Sequence, residues 1–299
     1  MPVFLRLLAA AFYATQNVFD ARISNHILNR WQTILFYSGA SGVLILPCIV
    51  LLYGAPSAIE PHLWGYLALC GFLNCFYLAP YYIALKKTDT SVVAALFSLA
   101  EIMIPLLAIV VLGDRPSAQQ FFGFFLVVFS GLVLSVKDVR HFKINSGFWI
   151  MLLAAMMEAI NSVSYKKLMN ETGDTGSVMF STAVLSMIFS SALILIPSCA
   201  KDICGKFKDV KANLPVFAVV FFVAVGAFIA KSIAMAGLPF LTFRALSAVQ
   251  PMFVLSYGII AAKFFGKKMP EEITLRETVK KLICFSLIVC GILLTMNAF

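Results

Sequence analysis

"EIMIPLLAIVV", residues 101–111, sets a carboxylate and a proline inside an apolar run, and "SAVQPMFVLSY", residues 247–257, sets a proline at the matching point of another. The correspondence between Pro105 and Pro251 does not stand alone. "LLAA" at 7–10 returns as "LLAA" at 152–155 with nearly the same offset, and "GLVL" at 131–134 returns as "GILL" at 291–294, after an insertion that includes the charged "GKKMPEEITLRETVKK". The chain therefore reads as two copies of one unit, residues 1–144 and 145–299.

Each copy is built of membrane-spanning runs. The 299 residues are 61% hydrophobic and only 12% charged, with mean hydropathy +0.95, whereas soluble domains sit near about 45–50% apolar and 25% charged. A spanning helix needs about 20 mainly apolar residues. Ten runs qualify: 4–23, 31–54, 62–85, 90–112, 118–136, 147–169, 177–199, 214–236, 242–263 and 280–298. Five spans per copy is an odd number, so the second copy enters the membrane from the opposite side. The expected fold is an all-α membrane protein, with ten transmembrane helices as two inverted five-helix repeats and a substrate held near the midplane between them.

Several classes of function drop out. The net charge of +9 and pI of 9.2 raise the question of nucleic acid, but the lysines and arginines lie mostly in short connections, with no basic face interleaved with aromatics. The start, "MPVFLRLLAAAFYATQ", has the ingredients of a signal peptide, and we read it instead as the first span because its pattern recurs in the second copy. The cysteines are scattered through apolar runs without a Cys-x-x-Cys, as small packing residues rather than metal or disulfide partners. His26, His62 and His141 all fall in connections. No Gly-x-Ser-x-Gly, His-Glu-x-x-His or Walker sequence occurs, so neither an enzyme nor a cofactor or metal site is expected.

The stretch "YYIALKKTDTSVVAALFSLAEIMIPLLAIVVLGDRPSAQQFFGFFLVVFSGLVLS", residues 81–135, resembles the EamA-type, ten-helix drug/metabolite transporter superfamily. The shared marks are a small residue after an aromatic pair, polar "TDTS", a mid-helix proline, and Leu-Gly-acid-Arg-Pro before a glycine-containing fifth helix. The resemblance extends to the whole chain through the duplication and implies a transporter of small solutes. This chain also departs from the pattern. Asp114 stands where the family usually has Glu, Tyr13-Ala14 where it has Trp-Gly, and Glu158 where the sixth helix has Trp. "FGKKMPEE" (265–272) replaces a Leu-Gly-Glu pattern. These departures imply a substrate atypical of the family.

Orientation is read two ways. Seventeen of the 23 lysines and arginines fall in connections on the side reached after the odd-numbered spans. Four, Arg6, Arg115, Lys166 and Lys167, fall on the other. The positive-inside rule then puts both termini outside the cytoplasm, and the family resemblance implies the reverse.

Polar and aromatic side chains recur at helical spacing within the spans, so each set faces one way. They are Tyr13, Gln16, Asn17 and Asp20; Asn74, Tyr77 and Tyr81; Glu101; Glu158, Asn161 and Tyr165; and Ser247, Gln250 and Tyr257. Glu101 and Glu158 are the sharpest of these, because a carboxylate at mid-span costs at least about 2.5–3.5 kcal/mol on insertion scales. Each suits either proton coupling or the holding of a cationic group. The bland alternative is a fixed ion pair with Lys231 or Arg244, which otherwise anchor an anion at one mouth or snorkel to the interface.

The residues together point to a secondary active transporter in the multi-pass inner (cell) membrane of a bacterium. As a monomer or homodimer, it would move a small amine-bearing or zwitterionic solute by alternating access, coupled to protons or by exchange. Pro105 and Pro251 serve as hinges. The alternatives are an exporter of lipophilic cations or toxic metabolites, and a transporter of organic anions or phosphates through Lys231 and Arg244.

Overall fold

The computed structural model describes residues 1–40, 42–85, 99–113, 115–135, 146–247 and 249–250, with shorter pieces between 253 and 294. Every regular element among them is helical. The expected connection 264–281, Asp114 and the hinge Pro251 lie outside the described residues.

Helix α1 (Pro2–Arg22) starts on proline, where a missing N–H costs nothing, and widens into a π-helical turn at Ile23–Ile27. Helices α2 (Trp31–Ala40) and α3 (Gly42–Tyr53) follow, then α4 (Trp64–Phe76) and α5 (Leu78–Leu85). The last two occupy the expected span 62–85, which is interrupted at Tyr77. Pro80 has no N–H to give the carbonyl of Phe76 four residues back, so the helical ladder breaks there. Helices α6 (Leu99–Val111), α7 (Ala118–Ser135) and α8 (Ser146–Thr172) complete the first part of the chain.

Gly173, at φ +64, ends α8 in the left-handed region that a side chain resists. The chain then re-enters a helix at once, because Asp174 caps α9 (Thr175–Ser191) by accepting from the Ser177 N–H at 3.0 Å. The expected span 177–199 is not one continuous α-helix. It tightens into a 3-10 turn at Ala192–Leu195, and Ile196 turns extended, at ψ 114. The residue before a proline is driven out of the helical region. Pro197 then opens a separate short helix, α10 (Pro197–Gly205), followed by α11 (Phe207–Ala212), α12 (Leu214–Gly237) and α13 (Phe240–Ser247).

Among the described residues, four segments are long and apolar enough to cross a bilayer: Trp31–Tyr53, Pro61–Ala84, Thr175–Leu195 and Leu214–Gly237. The side chains are sorted as such a solvent requires. Leu51, Val110 and Leu195 are at least four-fifths exposed, while Ala9, Ala10, Ala14, Ala154, Ala155 and Ala159 are sealed inside. Small residues let helices approach where lipid offers no hydrophobic drive. The central column is α8, which packs on α4, α5, α6, α9 and α12, while α1 lies along α12 with the Phe12 ring over Gly226.

Two cations read from the sequence as flanking charges are buried instead. Lys166 on α8 is 7% exposed. Its Nζ donates to the Met235 carbonyl at 2.6 Å and the Leu238 carbonyl at 3.5 Å, satisfying acceptors that the C-terminus of α12 leaves open. Arg6 on α1 donates through Nε to the Ser247 hydroxyl at 3.0 Å and the Phe243 carbonyl at 3.4 Å, and its guanidinium lies 4.6 Å from the centre of the Phe243 ring. Neither is an interfacial charge, so the tally for that side reduces to Arg115 and Lys167.

Candidate functional site

Three charged side chains from three helices meet at Glu158 of α8. Its Oε1 lies 3.6 Å from Arg244 Nη1 of α13 and 4.0 Å from Lys231 Nζ of α12. Ser162, one turn along α8, donates to the same oxygen at 2.9 Å and accepts from Arg244 Nη1 at 3.2 Å. Arg244 is thus held by both a carboxylate and a hydroxyl. Neither cation snorkels away from the interior: the Arg244 side chain is 4% exposed and that of Lys231 18%. The arrangement has one carboxylate for two cations, so these three groups sum to one positive charge.

Two buried amide oxygens lack donors among the described residues. Asn161, 4% exposed and three residues from Glu158 on the same helix, has a buried Oδ1 with no hydrogen-bond partner among the described residues, and Gln16 Oε1 on α1 is in the same condition. A buried amide oxygen left unpaired costs about 1–3 kcal/mol, so each is a place where a bound molecule gains by donating. Tyr165 and Ser232 share a hydrogen bond at 3.2 Å between α8 and α12. Tyr13 of α1 lies within electrostatic range of both Tyr77 and Tyr165, and Tyr77 within range of Glu158. The α4–α5 break puts Tyr77 at an irregular backbone point facing this cluster, and broken helices inside a bilayer characteristically line cavities.

The other expected site residues are placed as follows. Asn74 donates to the Ser186 hydroxyl at 3.1 Å, and Ser186 donates to the Gly71 carbonyl at 3.1 Å, which ties α4 to α9. Tyr81 is buried against Tyr82, ring centres 5.2 Å apart. Asn17 and Gln250 are half-buried, and Tyr257 packs on Phe253 at 6.3 Å. Glu101 and Pro105 lie on α6. Ser247, on the stripe expected in the ninth span, is the partner of Arg6. Arg6 and Lys166 bond to backbone carbonyls as well, a partner that leaves no mark in a sequence.

Comparison with known proteins fixes the class. The profile of the EamA-like transporter family matches residues 1–136. A Sinorhizobium sp protein described as "Uncharacterized transporter in cobO 3'region" is 28% identical over 140 residues, 44% of this chain and 95% of that protein. This EamA-like relative is therefore about as long as one of the two copies read from the sequence. A solved protein crystal structure superimposes with a TM-score of 0.68 at 16% identity, covering 98% of this chain and 94% of the other; at that identity the likeness is one of fold. An EamA-like transporter with several long apolar helices is an integral, multi-pass membrane protein. The partial family match and the name of the Sinorhizobium sp relative support the membrane transport of a solute.

Proposed function

We propose that this EamA-like protein is a ten-helix secondary transporter of two inverted five-helix repeats, 1–144 and 145–299. It moves a small zwitterionic metabolite by alternating access across a bacterial inner membrane. The observation that carries the reading is the composition of the buried cluster: among the described side chains two cations share one carboxylate, and the buried amide oxygens of Asn161 on the same helix and of Gln16 on α1 have no donor. An anionic group on the solute answers the excess positive charge at Arg244 and Lys231. An ammonium or amide N–H answers Asn161 and Gln16, and the tyrosines Tyr13 and Tyr77 offer aromatic faces to the same cationic end. Glu158 sets the orientation by repelling the anionic end from its own side.

The excess of positive charge also supports a second reading, in which the solute is an organic anion or sugar phosphate. It speaks against a lipophilic cation, whose natural partner Glu158 is already faced by two cations.

Solute counterflow into proteoliposomes containing the full chain tests this. Radiolabelled amino acids, quaternary amines and sugar phosphates are offered separately to vesicles preloaded with the unlabelled compound. Counterflow of amino acids, reduced more than about tenfold by Arg244→Gln, is the expected result, the loss of one charge-assisted contact being worth about 1.5–3 kcal/mol. Counterflow of sugar phosphates alone would transfer the site to the organic-anion reading, and counterflow of none would overturn both.

A further inference from the structure

A second buried carboxylate lies outside the Glu158 cluster. Asp20, in the last turn of α1, is 6% exposed, and the phenol of Tyr82 on α5, itself 1% exposed, is directed at it. The other titratable groups that face it are Tyr81 and Tyr77. Among the described residues, its titratable neighbours on that side are therefore phenols. The helices packed along α1 do carry basic residues, Lys231 on α12 and Arg244 on α13, but both converge on Glu158. Arg6 is at the far end of α1, about 20 Å away at 1.5 Å per residue, and is held by Ser247. Among the described residues no basic side chain lies within ion-pair distance of Asp20.

Immediately beyond Asp20 the helix widens into the π-turn Ile23–Ile27. Such turns shift the backbone hydrogen-bond ladder by one residue and are frequent at functional sites. Within it the hydroxyl of Ser24, buried at 1% exposure, has no hydrogen-bond partner among the described residues. The two intramembrane carboxylates are thus in opposite situations. Glu158 is faced by two cations, whereas the described partners of Asp20 are phenols, and a proton relieves the cost of burying a carboxylate that has no cation beside it.

We propose that Asp20 is the proton-binding site of this protein, with the Tyr82 hydroxyl as its hydrogen-bond partner, and that Glu158, held between Arg244 and Lys231, organises the solute cluster. The step is a reversible protonation, the carboxylate taking one proton from water on one side and returning it to water on the other. What the proton drives rests on the transport reading above; the existence of the site does not.

Infrared difference spectroscopy of the full chain in liposomes, titrated over pH with no solute present, tests it. The carbonyl-stretch band of a protonated carboxyl should grow as pH falls in the wild type. It should vanish in Asp20→Asn, persist in Glu158→Gln, and return at a changed frequency in Asp20→Glu, which separates loss of the site from loss of the fold. A band unchanged in Asp20→Asn, or lost in Glu158→Gln, would overturn the assignment. So would a wild-type band abolished by exchanging potassium for sodium at constant pH, which would make the site one for a metal cation. A titrating Asp20 without solute counterflow would leave the proton site and remove the transport reading; counterflow without a titrating Asp20 would do the opposite.

Discussion

Arg244 Nη1 lies 3.6 Å from Glu158 Oε1, with the two side chains 4% and 9% exposed. Removing one member of a buried pair strands the other and costs about 3–5 kcal/mol. The two removals are not equivalent here. Arg244→Gln leaves Glu158 beside Lys231 at 4.0 Å, whereas Glu158→Gln leaves two cations facing each other. Thermal melting in detergent should show Glu158→Gln lowered by about 3–5 kcal/mol and Arg244→Gln by less, and the reverse order would mean that Glu158 is not the hub.

Asp174 yields a pH dependence. Its carboxyl accepts from the Ser177 hydroxyl at 2.6 Å, the Ser177 N–H at 3.0 Å and the Ser57 hydroxyl at 2.7 Å. These bonds hold its pKa below the usual 3.8. Because the folded value is the lower one, the stabilisation is present above about pH 4 and is lost as pH falls through the folded value. Asp174→Ala should cost about 0.5–2 kcal/mol at neutral pH, as loss of an N-cap does. The gap in melting temperature from the wild type should close in acid, and a gap independent of pH would refute the capping account.

Gly71 marks the tightest crossing of α4 and α9. A methyl group there would collide with the Cβ of Leu185 and come within 3.5 Å of its Cα, atoms that cannot swing aside. Gly71→Ala should destabilise by about 1–3 kcal/mol, the usual cost of overpacking. Gly65→Ala, where nothing lies within 4 Å, is the matched control, and equal melting temperatures for the two variants would show that the crossing is looser.

Orientation can be read from a native thiol. Cys204 is exposed on α10, within the lysine-rich connection between α9 and α12. If the charge bias sets topology, an impermeant maleimide added to intact cells should leave it unlabelled in a variant whose other cysteines are alanine. Labelling before lysis would reverse the orientation.

Helix ends were legible in the sequence because hydropathy, proline and glycine act locally. The expected span 214–236 is Leu214–Gly237, and 147–169 lies within Ser146–Thr172. The signal for the break at Tyr77 was present in Pro80, although an uninterrupted apolar count hides it. What could not be read was direction. Arg6 and Lys166 sit near the ends of apolar runs, where the sequence cannot show whether a long side chain turns outward to headgroups or inward to another helix. The meeting of Glu158 with Lys231 and Arg244 is a matter of how α8, α12 and α13 pack, and no local pattern records it.

Arg6 fastens the first helix of the chain to Phe243 and Ser247 near the far end of the sequence, and α1 lies along α12. Under the alternating access proposed above, the pieces that move would therefore not be the two halves of the sequence. α1, α12 and α13 form one packed group, and the contacts that join it to α8 include Lys166 to the Met235 carbonyl and Glu158 to Arg244. These two contacts are eight residues apart on α8, about 12 Å at 1.5 Å per residue. Under that proposal, Lys166, which caps a helix end, would serve as the pivot, and the pair at Glu158, whose partner a solute's own charge can replace, as the clasp.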